Sequence, residues 1–245
     1  MARRDFQSPA PRPWIEVVGS ADPEVTRAVV ILLHGGRARS REPAAGVRLS
    51  YRRMVPFGRA LHRAGAAHGL AVWMLRYRYR GWNAPDEDPV QDARWALDQA
   101  RERHPGAPVV LVGHSMGGRA ALRAAGDPAV VAVCALAPWI EPGEPVGQLA
   151  GRALLIAHGD RERMTSPRLS FEYARAARQV SDRVCRFDVL GDGHAMLRRA
   201  ADWNWLVCRF VLGELGMEPE NPEIANAMRA PTPAGLHTPL VRGRS

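Results

Sequence analysis

Lysine is absent from this 245-residue chain. All 34 basic residues are arginine, and with 25 acidic residues they leave a formal net charge of +9. Cysteine is scarce, at 3 positions (Cys134, Cys185 and Cys208), with no C-x-x-C pair. That excludes a disulfide-dense scaffold and a zinc ribbon, and reads as free thiols of a reducing cytoplasm. No apolar run approaches the roughly 20 residues that would span a bilayer. The opening MARRDFQSPAPRPW has a basic start but no apolar stretch behind it, so a secretory signal is not expected. No repeat period is visible. At 46% hydrophobic and 24% charged, the chain falls in the globular range and can bury a full core.

The charge admits two meanings, a polyanion partner or a composition biased toward arginine, glycine and proline. A nucleic-acid or membrane surface would gather arginine with aromatics and exclude acids. Only Arg76-Tyr77-Arg78-Tyr79-Arg80-Gly81-Trp82 comes close, and Asp86-Glu87-Asp88 follows it at once. Neither a nucleic-acid partner nor membrane insertion is expected.

Residues 1–13 read as a loose lead-in, 14–216 as one domain, and 217–245, rich in proline and alanine, as a disordered or loosely packed tail. Within the domain, apolar β-branched runs such as Ala28–Leu33 and Leu70–Leu75 alternate with segments of helical period. This predicts an α/β fold, a mostly parallel sheet flanked by helices on both faces. Asp88-Pro89-Val90-Gln91 predicts a capped helix start. Val184 to Leu190, alternating Arg186 and Asp188 with Phe187 and Val189, predicts a half-exposed edge strand.

One apolar strand runs directly into Gly113-His114-Ser115-Met116-Gly117-Gly118, and a helix follows. Strand, Gly-x-Ser-x-Gly and helix together make a nucleophile elbow, a turn so tight that side chains two positions either side of the serine would collide. Its serine stands clear of the sheet, facing the N–H groups that open the helix. An earlier strand ends in His34-Gly35-Gly36. Acyl transfer passes through an oxyanion that needs two backbone donors, assigned here to the N–H groups of Gly36 and Met116. A serine hydroxyl also needs a base, and His194 in the Gly191-Asp192-Gly193-His194 loop is the histidine placed after the last strand of the pattern. An orienting carboxylate belongs between them in chain order, and His158-Gly159-Asp160-Arg161-Glu162 offers Asp160 and Glu162.

With these motifs in this order, residues 28 to 212 resemble the α/β-hydrolase superfamily. Members often carry His-Gly-x-x-Asp at the last of these motifs, and the resemblance puts the acid of the triad on Glu162, with Asp160 as the alternative. Glutamate there departs from the commoner aspartate. The resemblance implies a catalytic triad of Ser115, Glu162 and His194, no metal and no organic cofactor. The connection from Pro138 to Arg152 is short and broken by proline and glycine, which leaves minimal or no lid and an accessible site. The expected activity is hydrolysis of an ester or thioester on a small or extended soluble acyl substrate. Arg37, Tyr77 and Arg78 are candidate substrate contacts, and Arg37, Arg76, Arg78 and Arg80 together would favour an anionic acyl group. A peptidase, acyltransferase or cofactor-free peroxidase variant of the same site, and a non-catalytic scaffold that binds ligand or protein, are the competing expectations.

Overall fold

A computed structural model describes residues 11–19, 24–44 and 49–241. Most of the 1–13 lead-in lies outside them. Among the described residues eight strands form one sheet: β1 (Trp14–Val17), β2 (Ala28–Leu33), β3 (Leu70–Arg76), β4 (Val109–His114), β5 (Val130–Leu136), β6 (Ala153–Gly159), β7 (Val184–Val189) and β8 (Thr238–Leu240). Their order is β1-β3-β2-β4-β5-β6-β7-β8, with β1 antiparallel to β3 and every other pairing parallel. The expected parallel α/β architecture is what the chain adopts.

The continuous apolar runs are strands covered on both faces. In β2, Val29, Ile31 and Leu33 enter one core and Ala28, Val30 and Leu32 the other, so all six residues are buried. The first core packs under α3 (Asp88–Arg103), α4 (Met116–Ala124) and α5 (Pro167–Ala177); the second under α2 (Val55–Gly65) and α6 (Ala200–Glu214). A short α1 (Leu49–Arg52) precedes α2. Between β5 and β6 the chain forms a single 3-10 turn, Gly147–Leu149, so this connection places no helical lid over the sheet among the described residues.

Three expectations need correction. Residues 217–241 do not behave as a tail. Asn221 caps α7 (Pro222–Arg229) by accepting the N–H groups of Glu223 and Ile224, and Ile224, Ala225, Ala227 and Met228 are buried. The chain then pairs β8 with β7. An eight-residue helix and a three-residue strand carry too little periodicity to be read alone; they form because the sheet offers them an apolar face. Consequently β7 is not an edge. Arg186 is buried at 1% exposure, binding Asp188, Ser170 Oγ and the carbonyls of Pro167 and Leu236. Its alternation with Asp188 records an internal ion pair rather than solvent. Finally, α3 begins at Asp88, and Glu87 precedes it in the left-handed region (φ 50°) with no side-chain cap. Asp88 instead accepts from Asn83 and Arg78, and Gln91 binds the Asp86 carbonyl.

Because β2, β4, β6 and β7 are parallel, their carboxyl ends share one edge of the sheet. The chain winds outward from β2 in both directions, to β3 on one side and β4 on the other. A crevice opens at such a switch point. His34-Gly35-Gly36 and Ser115 leave the sheet there.

Candidate active site

Ser115 links β4 to α4 with φ 56° and ψ −118°, a conformation that costs a non-glycine residue about 1–3 kcal/mol. The flanking glycines are a steric necessity. A Cβ on Gly113 would lie 2.2 Å from the Gly117 carbonyl oxygen, and one on Gly117 would lie 2.2 Å from that of Leu33. The turn is held by Ser115 N–H donating to Leu136 O at 3.0 Å and by Trp139 N–H donating to Ser115 O at 3.1 Å.

Gly35 and Gly36 run alongside this elbow. A Cβ on Gly35 would lie 3.3 Å from Ser115 Cβ, and one on Gly36 would strike both the Met116 side chain and the Arg80 carbonyl at about 2.5 Å. His34 is buried against the Tyr51 and Tyr77 rings, and its Nδ1–H donates to Gly35 O at 2.7 Å. In a trans peptide the carbonyl and the next N–H point in opposite directions. The His34 bond therefore fixes which way Gly36 N–H is aimed. Burial lowers the His34 pKa to about 4, so the ring is neutral near pH 7.

The loops after β6 and β7 meet above the sheet. A Cβ on Gly159 would lie 2.3 Å from Asp192 O, and Arg161 N–H donates to that same carbonyl at 3.0 Å. This contact brings Glu162 to His194, whose Nδ1 lies 2.8 Å from Glu162 Oε2. A carboxylate only accepts, so Nδ1 carries a proton, and in the neutral ring Nε2 holds the lone pair. Burial by itself would raise the Glu162 pKa. The His194 bond and the backbone N–H groups of Met164 and Thr165 outweigh it and bring the pKa down to about 2. Asp160, the alternative acid, is turned away, accepting Gly191 N–H at 2.7 Å.

Several participants were not apparent from sequence. His114 donates through Nε2 to the His194 carbonyl at 2.9 Å, with the two rings 4.7 Å apart, tying the residue before the serine to the histidine loop. Burial lowers the His114 pKa to about 3, helped by the neighbouring His194. Asp192 anchors the loop from below, accepting from Gly193 N–H, Arg199 N–H and Trp203 Nε1. His158, buried beneath Glu162, binds Thr165 Oγ1 at 3.1 Å. Among the described residues no hydrogen bond joins Ser115 Oγ to His194.

Of the expected substrate contacts and neighbouring arginines, Arg37, Arg76 and Arg80 line a cavity of about 480 Å³ with His34, Gly35, Gly36 and Tyr51. Tyr77 is 2% exposed, inside the core. Arg78 is held by Asp92 and Asp88, and its neighbours Arg76 and Arg80 are paired with Glu16 and Glu42. The arginines at the end of β3 and just after it therefore serve ion pairs, a role their spacing does not reveal. A second cavity, of about 510 Å³, adjoins His194.

A family model described as "Alpha/beta hydrolase family" matches residues 30–242. No curated protein matches the sequence. Solved structures do share the fold. One is an alpha-beta serine hydrolase homologue from Coxiella burnetii, 19% identical, covering 86% of this chain and 98% of its own, with a TM-score of 0.59. Another, from Xanthomonas campestris, is described as an a/b serine hydrolase without lid: 18% identical, 86% and 90% covered, TM-score 0.56. A third is Est1E from Butyrivibrio proteoclasticus with ferulic acid bound, 14% identical, 84% and 95% covered, TM-score 0.58. With the family model spanning most of its length and the sheet, elbow and loop order described above, this chain belongs to the alpha/beta hydrolase family.

Proposed function

We propose that this hydrolase cleaves esters or thioesters through an acyl-enzyme formed on Ser115. The observation that carries the reading is the 2.8 Å bond from His194 Nδ1 to a Glu162 held ionised, at the mouth of a strained serine elbow. His194 Nε2 takes the Ser115 proton as Oγ bonds to the acyl carbon, and the tetrahedral oxyanion is met by Gly36 and Met116 N–H. As the intermediate collapses, the bond to the leaving oxygen or sulfur breaks and the imidazolium delivers its proton there. Water then attacks the acyl-enzyme by the same route, releasing a carboxylic acid and restoring Ser115. Glu162 stabilises the imidazolium without taking its proton. The cavity beside Gly35 and Gly36 remains for the acyl portion. Three unpaired cysteines, two of them buried, support a reducing compartment, the cytoplasm.

The missing bond between Ser115 and His194 favours one competing reading, a binding scaffold that keeps the elbow as architecture. Catalytic hydrogen bonds are often long in free enzymes and tighten around substrate, which supports the hydrolase. A fluorophosphonate probe separates the two. The wild-type protein is expected to be labelled and Ser115→Ala not. Unlabelled wild type, or equal labelling of both, rejects the hydrolase.

A further inference from the structure

The cavity beside His194 is ringed by cations that the fold does not use. Arg161, Arg163 and Arg198 line it with Leu197, Asp192 and His194 itself. All three arginines are exposed, and among the described residues no hydrogen bond or ion pair engages their guanidinium groups, Arg163 bonding Glu162 through its backbone N–H alone. This contrasts with Arg76, Arg78 and Arg80, each neutralised by a carboxylate. The one acid in the lining is Asp192, which is 3% exposed and has both oxygens committed to Gly193, Arg199 and Trp203. Nearby Asp160 faces Gly191 N–H, Glu162 faces His194, and Arg199 is paired with Asp202. The cavity thus has a net positive rim, with Leu197, 72% exposed, as an apolar wall.

Chemistry decides which part of a substrate meets that rim. The group that leaves must receive a proton from His194, so it has to lie on the histidine side of the acyl carbon. We infer that the His194 cavity is the leaving-group site and that it selects an alcohol or thiol carrying an anionic group, its apolar part against Leu197 and its charge among Arg161, Arg163 and Arg198. The inference rests on the proposed hydrolase, and it moves the anion preference from the acyl half, where the sequence suggested it, to the half that departs.

The test compares acetyl esters that differ only in leaving-group charge: 4-acetoxyphenylacetate and its neutral amide, 4-acetoxyphenylacetamide. In both, the methylene insulates the phenol from the substituent. The wild-type ratio of kcat/KM, anionic over neutral, is expected to exceed that of the triple variant Arg161→Gln, Arg163→Gln, Arg198→Gln by about five- to ten-fold, the scale of three exposed charge contacts acting together. The excess should shrink as salt rises from about 0.05 to about 0.5 M. Equal ratios in the two proteins, or a ratio indifferent to salt, overturn the inference while hydrolysis of the neutral ester leaves the proposed activity standing. A charge preference confined to the acyl side, read with phenyl hydrogen succinate against phenyl butyrate, also overturns it. If neither acetyl ester is cleaved, the hydrolase reading fails, and calorimetry with 4-hydroxyphenylacetate still reads the cavity. Binding lost in the triple variant upholds the anion site, and no binding to the wild type refutes it.

Discussion

At the scale of single residues, the site depends on which way a few polar groups are turned. Glu162 and Asp160 lie two positions apart, yet only Glu162 reaches His194. Glu162→Gln should lower kcat by about 10²–10⁴-fold, because the amide no longer stabilises the imidazolium, whereas Asp160→Asn should stay within about three-fold. A larger loss at Asp160 in esterase assays would reverse the assignment. His34 is a positioning residue, since its bond to Gly35 O aims Gly36 N–H. His34→Phe keeps a ring in the pocket without the donor. It is expected to reduce kcat about ten-fold with KM nearly unchanged, a fraction of the loss when an oxyanion donor is removed outright. Equal changes in kcat and KM, or a collapse in Tm, would mean a packing role instead. The histidines at 34, 158 and 194 are visible in the sequence as members of motifs, but their rotamers and tautomers come from neighbours distant in the chain.

Elements succeed or fail on close approach. Gly113→Ala would drive a methyl into the Gly117 carbonyl, and overpacking of this kind is expected to cost about 2–3 kcal/mol in urea denaturation. Gly147→Ala, with nothing within 4 Å of the added carbon, should change stability by less than about 0.5 kcal/mol. The elbow was legible because its steric demand is local, two glycines around a serine between strand and helix. β8 was not, for its three residues gain their place only by pairing with β7. Arg186→Met should therefore cost about 2 kcal/mol, because it removes the buried guanidinium that bonds Asp188, Ser170 and the Leu236 carbonyl and leaves that carbonyl without its donor. A chain ended after Gly216 should unfold at lower urea for the same reason; an unchanged midpoint would show that the C-terminal elements add nothing.

The whole molecule responds to pH through groups that folding buries. His34, His114 and His158 have pKa values lowered from 6.5 to about 4, 3 and 3, chiefly by burial. Between those values and 6.5 the unfolded chain binds the protons that the folded one refuses, so stability falls as pH drops through that window. Glu162 acts in the same direction lower down: lowered from 4.5 to about 2, it contributes stability above 4.5 that is lost as pH falls toward 2. Tm should therefore drop between pH 6.5 and 4, and less steeply in His34→Phe; parallel profiles would exclude His34 as a contributor. The sequence by itself determined the layered α/β order, the elbow at Ser115 and the His34-Gly35-Gly36 turn, because strand burial and tight turns leave marks on neighbouring residues. Tertiary structure decided that Glu162 rather than Asp160 meets His194, that Arg78 is spent on Asp92, that the final residues complete the sheet, and that three free arginines gather beside His194. Those outcomes depend on loops that meet only when parallel strands bring their ends to one edge, and residues far apart in sequence carry no local trace of that encounter.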